Sequence, residues 1–192
     1  MDNTDNLQKA VNVLKRGGVI AYPTESVFGI GCNPADVKAL ARILELKKRN
    51  PNKGLIIVAA DYEQVLPYID VSRLTEISHE LMSKYWPGPY TLVLPASPSL
   101  PELLTGGRTS IAIRVSACQA VKELCKAYGG AVVSTSCNIS GENSLDSYDA
   151  VVSGFADKLD YIVCGKTEGR SQPSVIIDGL TAEVLRGKVT NG

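Results

Sequence analysis

Apolar residues recur along the chain in two periods, about 3.6 and about 2 residues, and the alternation between them predicts helices and strands in turn. Leu7, Ala10, Val11 and Leu14 form one helical stripe, with Asp5 as the expected N-cap and Gly17-Gly18 as the stop. Val19-Ile20-Ala21-Tyr22 then reads as a short buried strand. Behind Asn33-Pro34-Ala35-Asp36, the spacing of Val37, Leu40, Ala41 and Leu44 predicts a second helix, and Leu55 to Ala60 is an apolar run of buried-strand length. Tyr62 to Leu66 predicts one helical turn before Pro67. Leu74, Ile77, Leu81 and Met82 predict an amphipathic helix that ends at Trp86 and is broken by Pro87-Gly88-Pro89. Strands are expected at Tyr90 to Leu94, Ser110 to Val115, Ala131 to Val133 and Tyr161 to Val163, and a final hairpin at Ser174 to Asp178 and Glu183 to Arg186. Cys118, Val121, Leu124, Cys125 and Tyr128 mark a helix closed by Gly129-Gly130, and Tyr148, Val151, Val152 and Phe155 another. About seven strands that first alternate with helices and then pair locally imply a mixed sheet in an α/β fold. No repeat or linker divides the chain, so a single domain over 1–192 is expected.

Between these elements, hydroxyls, glycines and cations replace the apolar pattern. Pro23 to Cys32 follows a strand end, where ligands gather in open α/β sheets; a plain turn is the alternative. Lys47-Lys48-Arg49-Asn50-Pro51-Asn52-Lys53-Gly54 joins a helix to a strand. Pro51 stops the helix and Asn52 and Gly54 are turn residues, so the cations sit on a rigid mount of a kind no core can use. Like charges this close repel one another, which suits a bound anion; a solvated helix end whose cations complement the dipole is the alternative. Ser97 to Arg108, rich in Ser, Pro and Gly, is expected to be a mobile loop. If Ile111 and Ile113 face the core, Ser110, Ala112 and Arg114 share the opposite face, where Arg114 either meets a carboxylate of the protein or awaits an anion. Ser134-Thr135-Ser136-Cys137-Asn138-Ile139-Ser140-Gly141-Glu142-Asn143-Ser144 has the composition of a loop whose amides and hydroxyls wrap phosphate or carboxylate oxygens. Gly165 to Pro173 is again polar, with Lys166 and Arg170. The chain carries neither the Walker pattern nor the Gly-x-Gly-x-x-Gly dinucleotide fingerprint.

Composition narrows the chemistry. Twenty basic residues balance twenty acidic ones among 192, so any polyanion site must be local. With 44% hydrophobic and 21% charged residues the chain matches a soluble globular protein. No apolar run approaches membrane-spanning length, and Met1-Asp2-Asn3-Thr4-Asp5 lacks the regions of a signal peptide, so a cytoplasmic protein is expected. Cys32, Cys118, Cys125, Cys137 and Cys164 are odd in number and lack Cys-x-x-Cys spacing, which argues for reduced thiols and against zinc. The single histidine, His79, lies in a helical pattern without a nucleophile elbow, which weakens a hydrolase triad.

Taken together, Tyr-Pro-Thr-Glu-Ser-Val-Phe-Gly-Ile-Gly at 22–31, Lys-Lys-Arg at 47–49, Trp-Pro-Gly-Pro at 86–89, Ile-Ala-Ile-Arg at 111–114 and Ser-Thr-Ser-Cys-Asn-Ile-Ser-Gly at 134–141 resemble the YrdC/TsaC family, whose members are threonylcarbamoyl-AMP synthases. The resemblance runs in order over nearly the whole chain. It implies a twisted, open, mixed sheet with flanking helices around a concave basic cleft. It also implies a reaction in which L-threonine, bicarbonate or CO2, and ATP give threonylcarbamoyl-AMP and pyrophosphate. Other proteins then transfer the threonylcarbamoyl group to an adenosine beside the tRNA anticodon, and direct contact with tRNA stays open. The family's Lys-x-Arg and Ser-x-Asn signature falls on Lys47 with Arg49 and on Ser136 with Asn138, the expected catalytic set. ATP contacts carry onto Arg49, Lys53, Ser110, Ser136, Ser144 and Arg186, and threonine contacts onto Ser26, Arg114, Ser134 and Ser174, with Thr24 beside them. Magnesium is expected on the ATP phosphates, without ligands from protein side chains.

There are departures from the family pattern. Some longer relatives have a histidine where this chain has Val58, Ser26 replaces a usual threonine, and Cys137 replaces a usual alanine as a small apolar filler. Two alternatives remain: an RNA-binding protein without catalysis, whose phosphate contacts would be steeply salt-dependent, and a carbamoyl transferase to another acceptor. The synthase reading expects Lys47→Ala, Arg49→Ala or Ser136→Ala to abolish most adenylate formation with the fold intact.

Overall fold

A computed structural model describes residues 3–170 and 172–189; Met1, Asp2, Ser171 and 190–192, which include the ends of the expected domain, lie outside the described residues. Helix α1 (Asn3–Lys15) buries Ala10, Val11 and Leu14 and stops where Gly17 takes a positive φ of 79°. Asp5 is not its cap; it lies within the first turn and pairs with Lys9 at 2.7 Å. Strand β1 (Ile20–Pro23) turns directly into β2 (Phe28–Gly31), an antiparallel hairpin in which Tyr22 faces Gly29. The expected polar connection at 23–32 is therefore half strand. Gly31 misleads because its glycine serves contact rather than turning: a Cβ there would sit 2.2 Å from the Val133 carbonyl oxygen.

Helix α2 (Val37–Leu46) is capped by Asp36, which accepts from the amides of Lys38 and Ala39. Its buried face is Ala39, Leu40, Ile43 and Leu44, rotated from the expected stripe, and Val37 is 52% exposed. Strand β3 (Ile56–Ala59) follows a 3-10 turn at Pro51–Lys53. The helical turn expected at Tyr62 to Leu66 is displaced to a 3-10 turn at Leu66–Tyr68, where Pro67 is accommodated near the start because no amide donor is needed there. Helix α3 (Glu76–Tyr85) is closed at its start by reciprocal Thr75 and Ser78 hydrogen bonds and leads to β4 (Tyr90–Pro95). The loop expected at 97–108 contains a short helix, α4 (Glu102–Thr105), anchored by the fully buried Leu104. Then come β5 (Ser110–Val115), α5 (Gln119–Tyr128), β6 (Val132–Ser136), α6 (Tyr148–Phe155), β7 (Tyr161–Ile162), β8 (Val175–Asp178) and β9 (Val184–Arg186). Strand β6 runs on to Ser136, so Ser134 and Ser136 belong to a strand rather than a loop.

Among the described residues these strands form a nine-stranded sheet in the order β7-β1-β2-β6-β3-β5-β4-β8-β9. It is mixed, as expected: β1 with β7, β3 with β5 and β4 with β8 are parallel, the other pairs antiparallel. Alternation along each strand divides the core in two. Phe28, Ile57, Leu92, Ile113 and Val133 pack with α2, α3, α4 and α6 on one face. Ile20, Tyr22, Val58 and Val132 pack with α1 and α5 on the other. Burying each of these large side chains contributes about 1.5–3 kcal/mol relative to exposure. Helices α1 and α5 contact β1, β3 and β7 but leave the remainder of their face open. Residues of the same parity as Val58 and Val132, namely Ile56, Ala112, Arg114, Ser134 and Ser136, therefore face a cleft instead of a helix. No helix among the described residues is long and apolar enough to cross a membrane.

Candidate active site

Two adjoining cavities occupy this open half of the sheet and share Arg49, Ile56 and Arg186 as a common wall. The larger, about 570 Å³, has an apolar floor of Ile56, Val93, Ala112 and Ile176. Around it stand Arg49, Lys53, Arg108, Ser110 and Arg186, with the carboxylate of Asp178. The smaller, about 300 Å³, is lined by Thr24, Ser26, Gly29, Arg114, Ser134, Ser136, Ser144, Arg170 and Ser174 besides the shared arginines. Every residue expected to contact threonine thus borders one cavity. The expected ATP residues divide: Lys53 and Ser110 border the larger cavity, Ser136 and Ser144 the smaller, Arg49 and Arg186 both.

Each group is aimed by its own element. Arg49 donates Nε and Nη2 to the Gly54 carbonyl at 3.1 and 2.9 Å, which folds the guanidinium back over its loop. Gly54 (φ 60°) lies against the end of α4, where a Cβ would be 2.9 Å from the Thr105 carbonyl oxygen. Gly106 (φ 68°) reciprocates, its Cβ position being 2.6 Å from the Gly54 nitrogen. Only glycine fits either position. The Leu55 amide donates to the Leu104 carbonyl at 2.9 Å and Arg108 Nη1 to the Lys53 carbonyl at 3.2 Å, so the cationic loop and α4 form one wall. On the far side Arg186 Nη2 donates to the Ser174 carbonyl at 3.0 Å and to Ser174 Oγ at 3.3 Å. Burial, then the charges of Arg186 and Arg108, hold Arg49 below the usual guanidinium value; burial and Arg114 do the same to Arg186. This mutual repulsion favours an anion between them.

Lys47 and Asn138 border neither cavity. Lys47 is 2% exposed, among the largest fully buried side chains, contrary to the expectation that no core could use this run. It extends the buried face of α2, one turn beyond Ile43 and Leu44. Its burial is tolerable because all three ammonium protons find acceptors: the Ser136 carbonyl, the Asn138 carbonyl at 2.7 Å and Asn138 Oδ1 at 2.9 Å. Asn138 Oδ1 also accepts from Ser136 Oγ at 2.7 Å, Asn138 Nδ2 donates to the Glu142 carbonyl at 2.7 Å, and the Ser140 amide donates to the Lys47 carbonyl at 2.8 Å. The segment then returns, with the Leu145 amide on the Cys137 carbonyl and the Phe28 amide on the Leu145 carbonyl, which sets Ser144 at the cavity. The Lys-x-Arg and Ser-x-Asn signature is therefore a knot: Arg49 and Ser136 face the cavities while Lys47 and Asn138 hold the backbone from behind. Burial, then the Arg49 charge, push Lys47 down to about 8.

Cys137 is fully buried beside this knot, its thiol pushed up to about 12 by burial, consistent with an apolar filler. Val58 is fully buried among Tyr22 and Val132 and borders neither cavity. His79 is exposed on α3, as expected. Arg114 meets a carboxylate of the protein, its Nη2 lying 3.4 Å from Glu25 Oε2, and it also borders the smaller cavity. Among the described residues no group of three or more His, Cys, Asp or Glu could hold a metal, and Asp178 Oδ1 is already taken by the amides of Leu180 and Thr181. The donor set does not fit a protein-held metal. Sequence reasoning missed Arg108, whose only signal was the glycine pair before it, Glu25 inside a run of hydroxyls, and a site role for Arg170.

The Sua5/YciO/YrdC family model, described as telomere recombination, matches residues 12–187. The threonylcarbamoyl-AMP synthase of Vibrio parahaemolyticus is 44% identical over 182 residues, 95% of this chain and 98% of that protein. That of Klebsiella pneumoniae is 49% identical over 177 residues, 92% and 93% of the two chains. P. abyssi Sua5 complexed with L-threonine superposes with a TM-score of 0.85 at 32% identity over 93% of this chain, which spans 52% of that longer one. E. coli YciO, at 24% identity and a TM-score of 0.79, shares the fold. With the same sheet, relatives this similar end to end, and a match covering nearly the whole cleft-bearing chain, the protein belongs to the Sua5/YciO/YrdC family.

Proposed function

We propose that this protein is a threonylcarbamoyl-AMP synthase, a nucleotidyltransferase that joins L-threonine, bicarbonate or CO2, and ATP into threonylcarbamoyl-AMP with release of pyrophosphate. The observation that carries the reading is the shared wall: a hydroxyl-rich cavity ending in Arg114 adjoins a cation-lined one, and Arg49 and Arg186 stand at their junction.

In this reading the threonine carboxylate sits on Arg114 and its hydroxyl and amine among Thr24, Ser26, Ser134 and Ser174. The triphosphate lies against Arg49, Lys53 and Arg186, with Ser110, Ser136 and Ser144 holding oxygens. The neutral threonine amine attacks the CO2 carbon, one carbon–oxygen π pair moves onto oxygen and the amine proton leaves to solvent, which gives a carbamate. A carbamate oxygen attacks the α-phosphorus, the bond to the β-phosphate oxygen breaks, and pyrophosphate leaves with that electron pair. No covalent nucleophile on the protein is required. Positioning and neutralisation of phosphate charge supply most of the acceleration. Lys47 and Asn138 act through the strand end that they hold. Magnesium would arrive on ATP as part of the substrate. We infer further that one domain spanning 1–192 carries the site, in the cytoplasm, and that the product passes to proteins that modify the adenosine next to the tRNA anticodon; direct tRNA contact belongs to the same proposal.

The test is pyrophosphate release from ATP with bicarbonate present, with and without L-threonine, using serine and glycine as controls. Release that requires both threonine and bicarbonate is expected. No release, or release indifferent to the amino acid, would overturn the reading.

A further inference from the structure

Glu25 sits in the turn between β1 and β2, between Thr24 and Ser26, which both border the smaller cavity; Glu25 itself does not border it. Its side chain is buried, 8% exposed. One carboxylate oxygen, Oε1, accepts from Ser116 Oγ at 2.6 Å, and Ser116 is fully buried. Ser116 is fixed in turn, its amide on the Ala59 carbonyl at 3.0 Å and its Oγ accepting from the Cys118 amide at 3.1 Å. The other oxygen, Oε2, faces Arg114 Nη2 at 3.4 Å.

An ion pair serving the fold alone would engage the guanidinium closely, at about 2.7–2.9 Å and commonly through two nitrogens. This one is long and single. Arg114 is 8% exposed, and its Nε is buried without a hydrogen-bond partner. An unpaired buried donor on a cation is costly, so the protein groups around the guanidinium do not satisfy it fully. Glu25 thus faces one nitrogen of the guanidinium at 3.4 Å, while another is unsatisfied.

We propose that Glu25 is a positioning residue: its carboxylate, tethered by Ser116, orients Arg114 so that the side of the guanidinium that borders the smaller cavity receives the carboxylate of an α-amino acid. The inference rests on the reading of the smaller cavity as the threonine pocket. Glu25 touches no substrate and acts only through Arg114. Neither Glu25 nor Ser116 lines the larger cavity.

The experiment is calorimetric titration of the full chain with L-threonine and, separately, with ATP, in bicarbonate-free buffer, for the wild type, Glu25→Gln and Ser116→Ala, with the unfolding midpoint of each. Glu25→Gln preserves an acceptor for Ser116 but removes the charge that holds Arg114. It is expected to weaken threonine binding about tenfold, roughly what one charge-assisted hydrogen bond is worth, and ATP binding by much less. Ser116→Ala, which releases only the tether, is expected to shift threonine binding in the same direction by less. It also keeps the test open if Glu25→Gln fails to fold. Unaltered threonine affinity in both variants, or parallel losses for threonine and ATP that track the unfolding midpoint, would overturn the proposal. A wild type that binds ATP but not threonine would overturn the reading of the pocket itself, and this inference with it.

Discussion

Lys47 and Arg49 stand two positions apart in the sequence and do opposite things. A side chain two residues along an extending helix end faces away from its neighbour, so one cation points into α2's packing face and the other into the cavities. The family resemblance singled out both residues, but only burial separates them, because a lysine whose three protons meet three oxygens gives no compositional sign that it is inside. Lys47→Met is expected to strand the Ser136 and Asn138 acceptors and lower stability by about 2–4 kcal/mol, besides removing activity. Arg49→Ala should remove activity with stability nearly unchanged. Urea denaturation of the two variants checks this, and for Lys47 it replaces the expectation of an intact fold. The pH dependence follows with a definite sign. Burial holds Lys47 down to about 8 in the folded chain, against the ordinary lysine value of 10.5 in the unfolded one. Between those values the unfolded chain holds more protons, so stability rises with pH. A neutral amine nevertheless has two protons for three acceptors and holds the strand end less well. Pyrophosphate release should therefore fall as pH passes through about 8, while the unfolding midpoint does not; a parallel fall of both would contradict the assignment.

At the scale of elements, what periodicity could reveal was largely visible. Strands β3, β4, β5, β8 and β9 and helices α3, α5 and α6 lie where alternating or helical spacing places them. The misses share a cause: local composition suited two uses. Gly29 and Gly31 resemble turn residues but let β6 and Tyr22 approach β2 closely. The segment holding α4 is rich in turn formers, and only Leu103-Leu104 hinted that it returns to the core. That helix matters to the site because it carries the wall on which Lys53 and Arg108 stand. Gly106→Ala would force a side chain into a positive φ and against the Gly54 nitrogen. It is expected to cost about 1–3 kcal/mol and to raise the KM for ATP several-fold, with the KM for threonine nearly unchanged. Steady-state kinetics with each substrate varied in turn would check it, and equal rises in both constants would count against two separable cavities.

The whole molecule explains how a chain with no net charge builds a cationic site. Helices α1 and α5 cover part of one sheet face, and the uncovered part gathers arginines from α2's end, β5, β9 and the segment before β8. The sequence motifs named most of these residues, yet their convergence depends on strand order, which no local pattern encodes. In that order β6 stands between β2 and β3, so the strands β7, β1 and β2 join the remainder of the sheet through it. The same strand bears Ser134 and Ser136 and is gripped by Lys47. Partial opening that parted the two groups of strands would therefore dismantle the cavities at the same moment, leaving no half-open species that still works. Amide protons of β6 should be among the slowest to exchange with deuterium, and enzymatic activity and circular dichroism should be lost along a single denaturation curve.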